Sequence, residues 1–410
     1  PSKSRSPARA SNKYDYQELN KVLLSSSEPC HFYGVIVDAT FPYKVNSERF
    51  ICSLKVVDPS CHTKGDYASV VIYANKFEDL PIISRLGDII RVHRANLKRY
   101  NERRQYNVNM HYKSSWALYS TDKTTPHGSS NSDGPYAFSG KRSTHERQDS
   151  NIQQVLKKWA NNHFASNNVI QDSQITPLNK ASKQDKDFDV VAKVLQVFEL
   201  DEYTNELKLR DGSGETYYTL ALKLKFPLIR QGSVVRIRSA TYDETSSKKR
   251  VLVLQHYSNI MTFINSSKLA ASVSRVNNEN ATEKAQLKSA VSMAPVVLTE
   301  VDKKHASLQS TSLHDLFHSP DNSTNTFRTC FYVTRVEPGN VNDAVRVYDR
   351  KNKKASSAKG SKSGELIYQV QLLAKDVSTQ FNNNVYRILL YSHEGLGTNF
   401  LGKATNLHKD

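Results

Sequence analysis

The chain has 410 residues, 57 Lys+Arg against 40 Asp+Glu for a formal net charge of +17, and 38% hydrophobic residues. At roughly 150 residues per domain this predicts two to four domains joined by polar linkers, and the basic excess points to a polyanionic partner. No apolar run reaches the roughly 18 residues of a transmembrane helix, and Pro1–Lys13 lacks the apolar core of a secretory signal, so no membrane partner is expected.

Cys30, Cys52, Cys61 and Cys330 form no CxxC pair, there is no HExxH, GxxxxGK[ST] or GxGxxG, and the lone GxG at Gly212 and Gly214 sits in a turn. Neither a metal nor a cofactor is expected, and free thiols fit a reducing compartment.

In chain order, residues 1–30 read as a basic N-terminal tail. Residues 31–120 give five β-rich runs, at His31–Ala39, Arg49–Val57, Ala68–Tyr73, Asp88–Arg94 and Gln105–Tyr112. Residues 121–185 are a linker. It carries one helix, with Ile152, Val155, Leu156 and Trp159 as the packing stripe between the flanking blocks. Residues 186–265 again give five runs, at Phe188–Phe198, Glu206–Arg210, Thr216–Leu224, Ser233–Ala240 and Lys249–His256. Five strands in about 80 residues is the size of an OB fold, a small Greek-key barrel. Residues 266–293 are a second linker. Residues 294–410 hold a third block, with strands at Phe327–Val336, Leu366–Leu373 and Val385–Tyr391 and no clear closing strand after Tyr391. The predicted fold is all-β dominated: three OB-fold domains, five-stranded Greek-key barrels, with short connecting helices.

An internal repeat supports a duplicated barrel. Gly87-Asp-Ile-Ile-Arg91-Val-His-Arg-Ala95 matches Gly232-Ser-Val-Val-Arg236-Ile-Arg-Ser-Ala240, with Pro81 and Pro227 ahead of them.

The charge is uneven. Residues 31–120 hold 13 Lys+Arg against 8 acids, 186–265 hold 12 against 10, and 327–410 hold 13 against 7. Between Arg85 and Lys113 eight basic residues interleave with His93, Tyr100, Tyr106, His111 and Tyr112, and Trp116 follows close behind. Cations that track phosphates beside rings that stack on unpaired bases are the footprint of a single-strand binder; about half of these rings are expected to fill the barrel instead. Strand alternation puts Tyr106 and Tyr112 on one face and His111 on the other.

Block two differs. Asp187, Asp189, Glu199, Asp201 and Glu202 are expected to crowd one end of its first strand. Acids repel phosphate, but a carboxylate accepts both donors on the Watson–Crick edge of guanine. A solvated strand end and a metal-dependent nuclease are the alternatives.

Four stretches carry a resemblance: His31–Lys44 (HFYGVIVDATFPYK), Phe77–Ile83 (FEDLPII), Asp187–Lys193 (DFDVVAK) and Leu200–Leu207 (LDEYTNEL). They resemble the alpha subunit of the ciliate telomere end-binding protein family, which is related to the protection-of-telomeres proteins. The resemblance implies three OB folds and no enzyme activity. The first two would cap the single-stranded, G-rich 3′ overhang of telomeres, and the third would bind a beta subunit. It implies DNA-facing positions at Tyr43, Lys44, Lys55, Tyr100, Gln105, His111 and Tyr112 in the first fold. In the second they are Asp187, Asp189, Tyr203, Arg236, Arg238, His256 and Tyr257, with the two aspartates reading guanine. His111 stands where the family has an aromatic carbocycle. The implied location is the telomere, on the chromosome in the nucleus, and self-association on DNA is left open. The competing readings are a general single-stranded nucleic-acid binder and an OB-fold protein-interaction scaffold.

Overall fold

The computed structural model describes residues 14–276, except 25–27, 46–48, 64–65, 102, 127–133, 141–145, 168, 171–174, 202–203 and 245–248. Beyond that it describes 303–305, 308, 311–318, 326–339, 341–349, 351–352, 354–357, 365–376 and 385–391. The chain divides into an N-terminal unit, residues 1–310, and a C-terminal unit, residues 311–410. Among the described residues no helix is long and apolar enough to cross a membrane.

The first barrel contains β1 (Cys30–Ala39), β2 (Tyr43–Lys44), β3 (Phe50–Val57), β4 (Ala68–Ala74), β5 (Arg85–Leu86), β6 (Ile89–Tyr100) and β7 (Arg103–Asn109), with β8 (Ser115–Tyr119) and β9 (Ala137–Phe138) outside it. Strands β1, β3, β4, β7 and β6 close on themselves in that order, and the single parallel pair is β4 with β7. After helix α1 (Arg147–Ser166), strands β10 (Phe188–Glu199), β11 (Thr204–Arg210), β12 (Thr216–Leu222), β13 (Val234–Glu244) and β14 (Arg250–Phe263) close in the same way, with β12 parallel to β14. This is the OB topology twice over. Helix α2 (Lys268–Val276) follows.

The repeat holds in atomic detail. Gly87 and Gly232 sit at φ +94° and +85°, a region where a Cβ is strained. Each donates its N–H across the barrel at 2.8 Å, to Ile36 O and Val194 O. Arg94 and Ser239 carry matching bulges at φ 59° and 57°, and each bulge carbonyl accepts from a buried serine hydroxyl, Ser114 or Ser258. Phe32 and Ile36 on one face of β1, and Val190 and Val194 on the matching face of β10, are fully buried, the period-2 pattern of a barrel interior.

The C-terminal unit shares part of this plan. It has α3 (Leu313–His318), β15 (Tyr332–Glu337), α4 (Val341–Ala344), β16 (Val345–Asp349), β17 (Lys354–Ser357), β18 (Glu365–Lys375) and β19 (Tyr386–Tyr391). Strands β15, β18 and β19 are antiparallel neighbours in the order of the first three OB strands. In each module the aspartate that ends the second strand accepts from the N–H of a fully buried leucine. The pairs are Asp58 with Leu19 at 2.8 Å, Asp211 with Leu178 at 2.7 Å, and Asp376 with Leu313 at 2.6 Å. The bulge in the first strand falls at the same register in all three, which makes Asp38, Gln196 and Arg335 equivalent. The described strands of this unit form an open sheet.

Three expectations change. Residues 14–24 are not a free tail: Leu19 and Val22 are buried, and the Tyr106 hydroxyl donates to Leu19 O at 2.7 Å. Residues 1–13 lie outside the described residues. In α1 the buried stripe is Gln153, Leu156, Ala160 and Phe164, and Val155 is exposed. The stripe is rotated because the helix begins on a buried acid, Asp149, which accepts from the Glu146 N–H and from the hydroxyls of Tyr16 and Tyr33. Finally, β7 stops at Asn109, and Met110–Tyr112 form a 3₁₀ turn. That turn breaks the alternation, so Tyr106 is buried while His111 and Tyr112 are exposed.

Beside Asp149, His93 is buried, stacks on Tyr14 at 3.9 Å and lies 2.9 Å from the Tyr16 hydroxyl. Burial, then the Arg91 and His31 charges, push its pKa down to about 3. An unfolded histidine titrates near 6.5, so below that pH the unfolded chain binds the extra proton and stability falls with pH. Between pH 6.5 and 5 this single group should remove about 2 kcal/mol. His31 and His163, both lowered, act in the same direction. Urea unfolding across that range should show the loss, and His93→Gln should flatten it.

Candidate nucleic-acid interface

The two barrels of the N-terminal unit meet along a seam, and most of the sequence-predicted site residues gather there. The barrels are stitched by the Phe41 N–H, which donates to Tyr257 O at 3.1 Å, and by the Asn259 side-chain Nδ2, which donates to Ile83 O at 2.9 Å. Strand β14 continues past the second barrel to pair in parallel with β5. Three rings sit on this frame: Tyr43 lies 5.3 Å from His256 and 5.7 Å from Tyr257, which are 5.0 Å apart. Tyr43 and Tyr257 are half-buried and His256 is exposed, so ring faces remain open beside a fixed backbone.

Cations flank the rings. Lys44 is exposed at the end of β2. Lys55 pairs with Asp38 at 3.1 Å and lies over the Tyr67 ring at 5.0 Å, and Arg103 covers the same ring at 4.4 Å. Gln105 shares the outward face of β3, β4 and β7 and donates to Asn107 Oδ1 at 3.0 Å. Arg238 is partly exposed on β13 beside Asp38.

Arg236 departs from its expected DNA-facing place. It is 1% exposed, donates to Val37 O at 3.0 Å and to Asp189 Oδ2 at 2.5 Å, and lies 3.4 Å from Asp38. Alternation puts Arg236 and Arg238 on one side of β13, and the deeper of the two is enclosed between the barrels. Asp189 also accepts from the Ser239 N–H at 2.9 Å, which fixes its carboxylate. Asp187 is exposed just before β10. The acids do not crowd one end: Asp187 and Asp189 lie at the start of β10, and Glu199 and Asp201 lie at and beyond its far end. Tyr203 and Glu202 lie outside the described residues.

Tyr100, His111 and Tyr112 are exposed, with Tyr100 at one end of β7 and the other two past its far end. Tyr100 ends β6 opposite Arg103, and His111 and Tyr112 occupy the 3₁₀ turn, 5.5 Å apart. No hydrogen bond or ring contact joins them to the seam among the described residues.

Lys225 escaped the sequence reading. It is 9% exposed, donates to His256 O at 3.0 Å and lies 4.5 Å from the Phe41 ring, directly under the ring cluster. Burial lowers its pKa to about 8. The signal was present: in Leu220–Phe226, Lys223 and Lys225 share parity with the buried Tyr217, Thr219 and Ala221.

Comparison with known proteins bears on what this seam holds. Residues 10–170 match the family described as telomeric single stranded DNA binding POT1/CDC13, and residues 178–275 match the telomere end-binding protein alpha subunit OB2 domain. The telomere-binding protein subunit alpha of Stylonychia mytilus is 57% identical over 100% of this chain and 88% of its own length. The chain belongs to the telomere-binding protein alpha-subunit family. The Sterkiella nova family member is 58% identical, over 97% of this chain and 85% of its own. A telomere-binding protein homolog of Euplotes crassus is 36% identical, over 97% and 87%. The boundary between the two family matches falls in the stretch between the two barrels, so each match covers one closed barrel.

Proposed function

We propose that this member of the family caps the single-stranded, G-rich 3′ overhang of telomeres. It binds telomeric single-stranded DNA and associates with the telomere and chromosome, within the nucleus. The ring cluster of Tyr43, His256 and Tyr257 between two barrels, with Lys55 and Arg238 beside it, is the observation that carries this reading. Unpaired bases stack on the open rings, and cations from both barrels hold the phosphates. Asp187 and Asp189 accept the guanine edge donors; Asp189 is already aimed by Arg236 and the Ser239 N–H. The mechanism is passive: the held 3′ end is withheld from nucleases and polymerase, with no catalytic step. The C-terminal unit is the surface for a beta subunit.

Fluorescence anisotropy with a G-rich repeat strand, its duplex and a scrambled strand tests this. The G-rich strand should bind tightest, and equal binding to all three would end the reading. Asp187→Asn with Asp189→Asn should weaken G-rich binding and create or remove no turnover of labelled DNA. Tyr257→Ala should cost about 1–3 kcal/mol of affinity, roughly 5- to 150-fold. A loss of only a few tenths would make Tyr257 a packing ring.

A further inference from the structure

Asp38 is a buried acid in the middle of a surface that should attract phosphate. It is 2% exposed, on β1 directly opposite Lys55. Its carboxylate meets Lys55 Nζ at 3.1 Å, Arg236 Nη1 at 3.4 Å and Arg238 Nε at 3.5 Å. Both oxygens are buried, and the three cations approach as ion pairs rather than as aligned hydrogen bonds. Two cations come from the second barrel and one from the first.

The fold does not require an acid there. The same bulge in the second barrel carries Gln196, and in the C-terminal unit Arg335. In the first barrel the bulge faces the second barrel, and the residue there is a carboxylate. Of its three cations, Arg236 is enclosed and shared with Asp189, while Lys55 and Arg238 keep part of their surface open.

The geometry points to Asp38 as a positioning and specificity residue of the DNA interface. It holds Lys55 and Arg238, one from each barrel, at a fixed spacing, and it offsets part of their charge. A strand that offers only phosphates is then attracted weakly, and one whose bases also engage the rings and the Asp187–Asp189 pair is retained. This rests on the reading of the seam as the single-strand DNA site.

The test uses the full chain carrying Asp38→Asn, with anisotropy against a G-rich repeat strand and a scrambled strand of equal length at several salt concentrations. The preference for the G-rich strand should fall by about tenfold or more. The G-rich strand weakens, while the scrambled strand holds or tightens. The salt slope for the scrambled strand should steepen by about 0.7, one extra phosphate contact, as a cation is released. Equal weakening of both strands together with a lowered melting temperature would assign Asp38 a merely structural role and overturn the proposal. So would an unchanged preference in a variant measured beside a selective wild type. A wild type that binds both strands alike overturns the reading of the seam itself, and the Asp38 role with it. Should Asp38→Asn fail to fold, Asp38→Asn with Lys55→Met removes one charge of each sign from the seam, leaves Arg236 on Asp189 and Val37 O, and carries the same comparison, with the same expected loss of preference.

Discussion

Arg236→Met should lower the unfolding free energy of the N-terminal unit by about 3–5 kcal/mol, the range for removing one partner of a buried ion pair. Methionine keeps much of the volume, so the loss is one of charge and hydrogen bonds rather than of packing. Arg236 is the main counter-charge for two acids. Without it Asp38 keeps only Lys55 and Arg238 at the rim, and Asp189 keeps the Ser239 N–H. Val37 O, at the end of β1, loses its donor as well. The cation thus joins the first strands of both barrels, and its removal should open the seam before it unfolds either barrel. Guanidinium unfolding followed by tryptophan fluorescence and by far-UV circular dichroism should show the loss, with the two signals no longer coincident. A loss under about 1 kcal/mol would mean that the buried cluster is not needed to hold the barrels together. The repeat supplies an internal comparison. Arg91 occupies the same register in the first barrel and pairs with Asp149 at 3.2 Å, but that acid also holds two tyrosine hydroxyls. Arg91→Met should therefore cost less.

The duplicated barrel was legible because its signals are local. The Gly–Arg–Ala pattern marks a glycine at positive φ, a strand and a bulge, and each is set within a few residues. The β-rich runs of the two barrels likewise fell on strands, although β6 runs six residues past the predicted end at Arg94 and β14 seven past His256. The third module was legible in part: β15, β18 and β19 were found and β16 and β17 were missed, and the aspartate that anchors a buried leucine recurs as Asp58-Pro-Ser60, Asp211-Gly-Ser213 and Asp376-Val-Ser378, a pattern too short to stand out until hydrogen bonds align it. The fate of each charged residue was least legible. Arg236 and Arg238 are two apart on one strand, and sequence gives them the same side. Only the packing of one barrel on the other decides that Arg236 is enclosed and Arg238 is not. The same long-range packing makes Asp38 a shared counter-charge and puts Lys225 beneath a ring cluster. Val155 and Tyr112 failed for a nearer reason, since a buried acid rotated one helix and a 3₁₀ turn ended one strand early.

DNA affinity should fall by about 50-fold between roughly 50 and 200 mM salt if Lys44, Lys55, Arg103 and Arg238 each hold one phosphate, because each contact contributes a slope near −0.7 on single strands. The stacking rings contribute nothing to that slope. Binding therefore separates into two parts that respond to different changes. Arg238→Ala should weaken binding and make the slope shallower by about 0.7, while Tyr257→Ala should weaken it and leave the slope as it is. Arg238 is the sharper probe, since it lies at the rim of the Asp38 cluster and Arg236 keeps the buried part of that cluster intact in the variant. The measurement is anisotropy with the G-rich strand over that salt range, for wild type and both variants. If Arg238→Ala leaves the slope untouched, the arginine serves the cluster rather than a phosphate. If Tyr257→Ala changes the slope, the ring acts by placing the cations rather than by stacking.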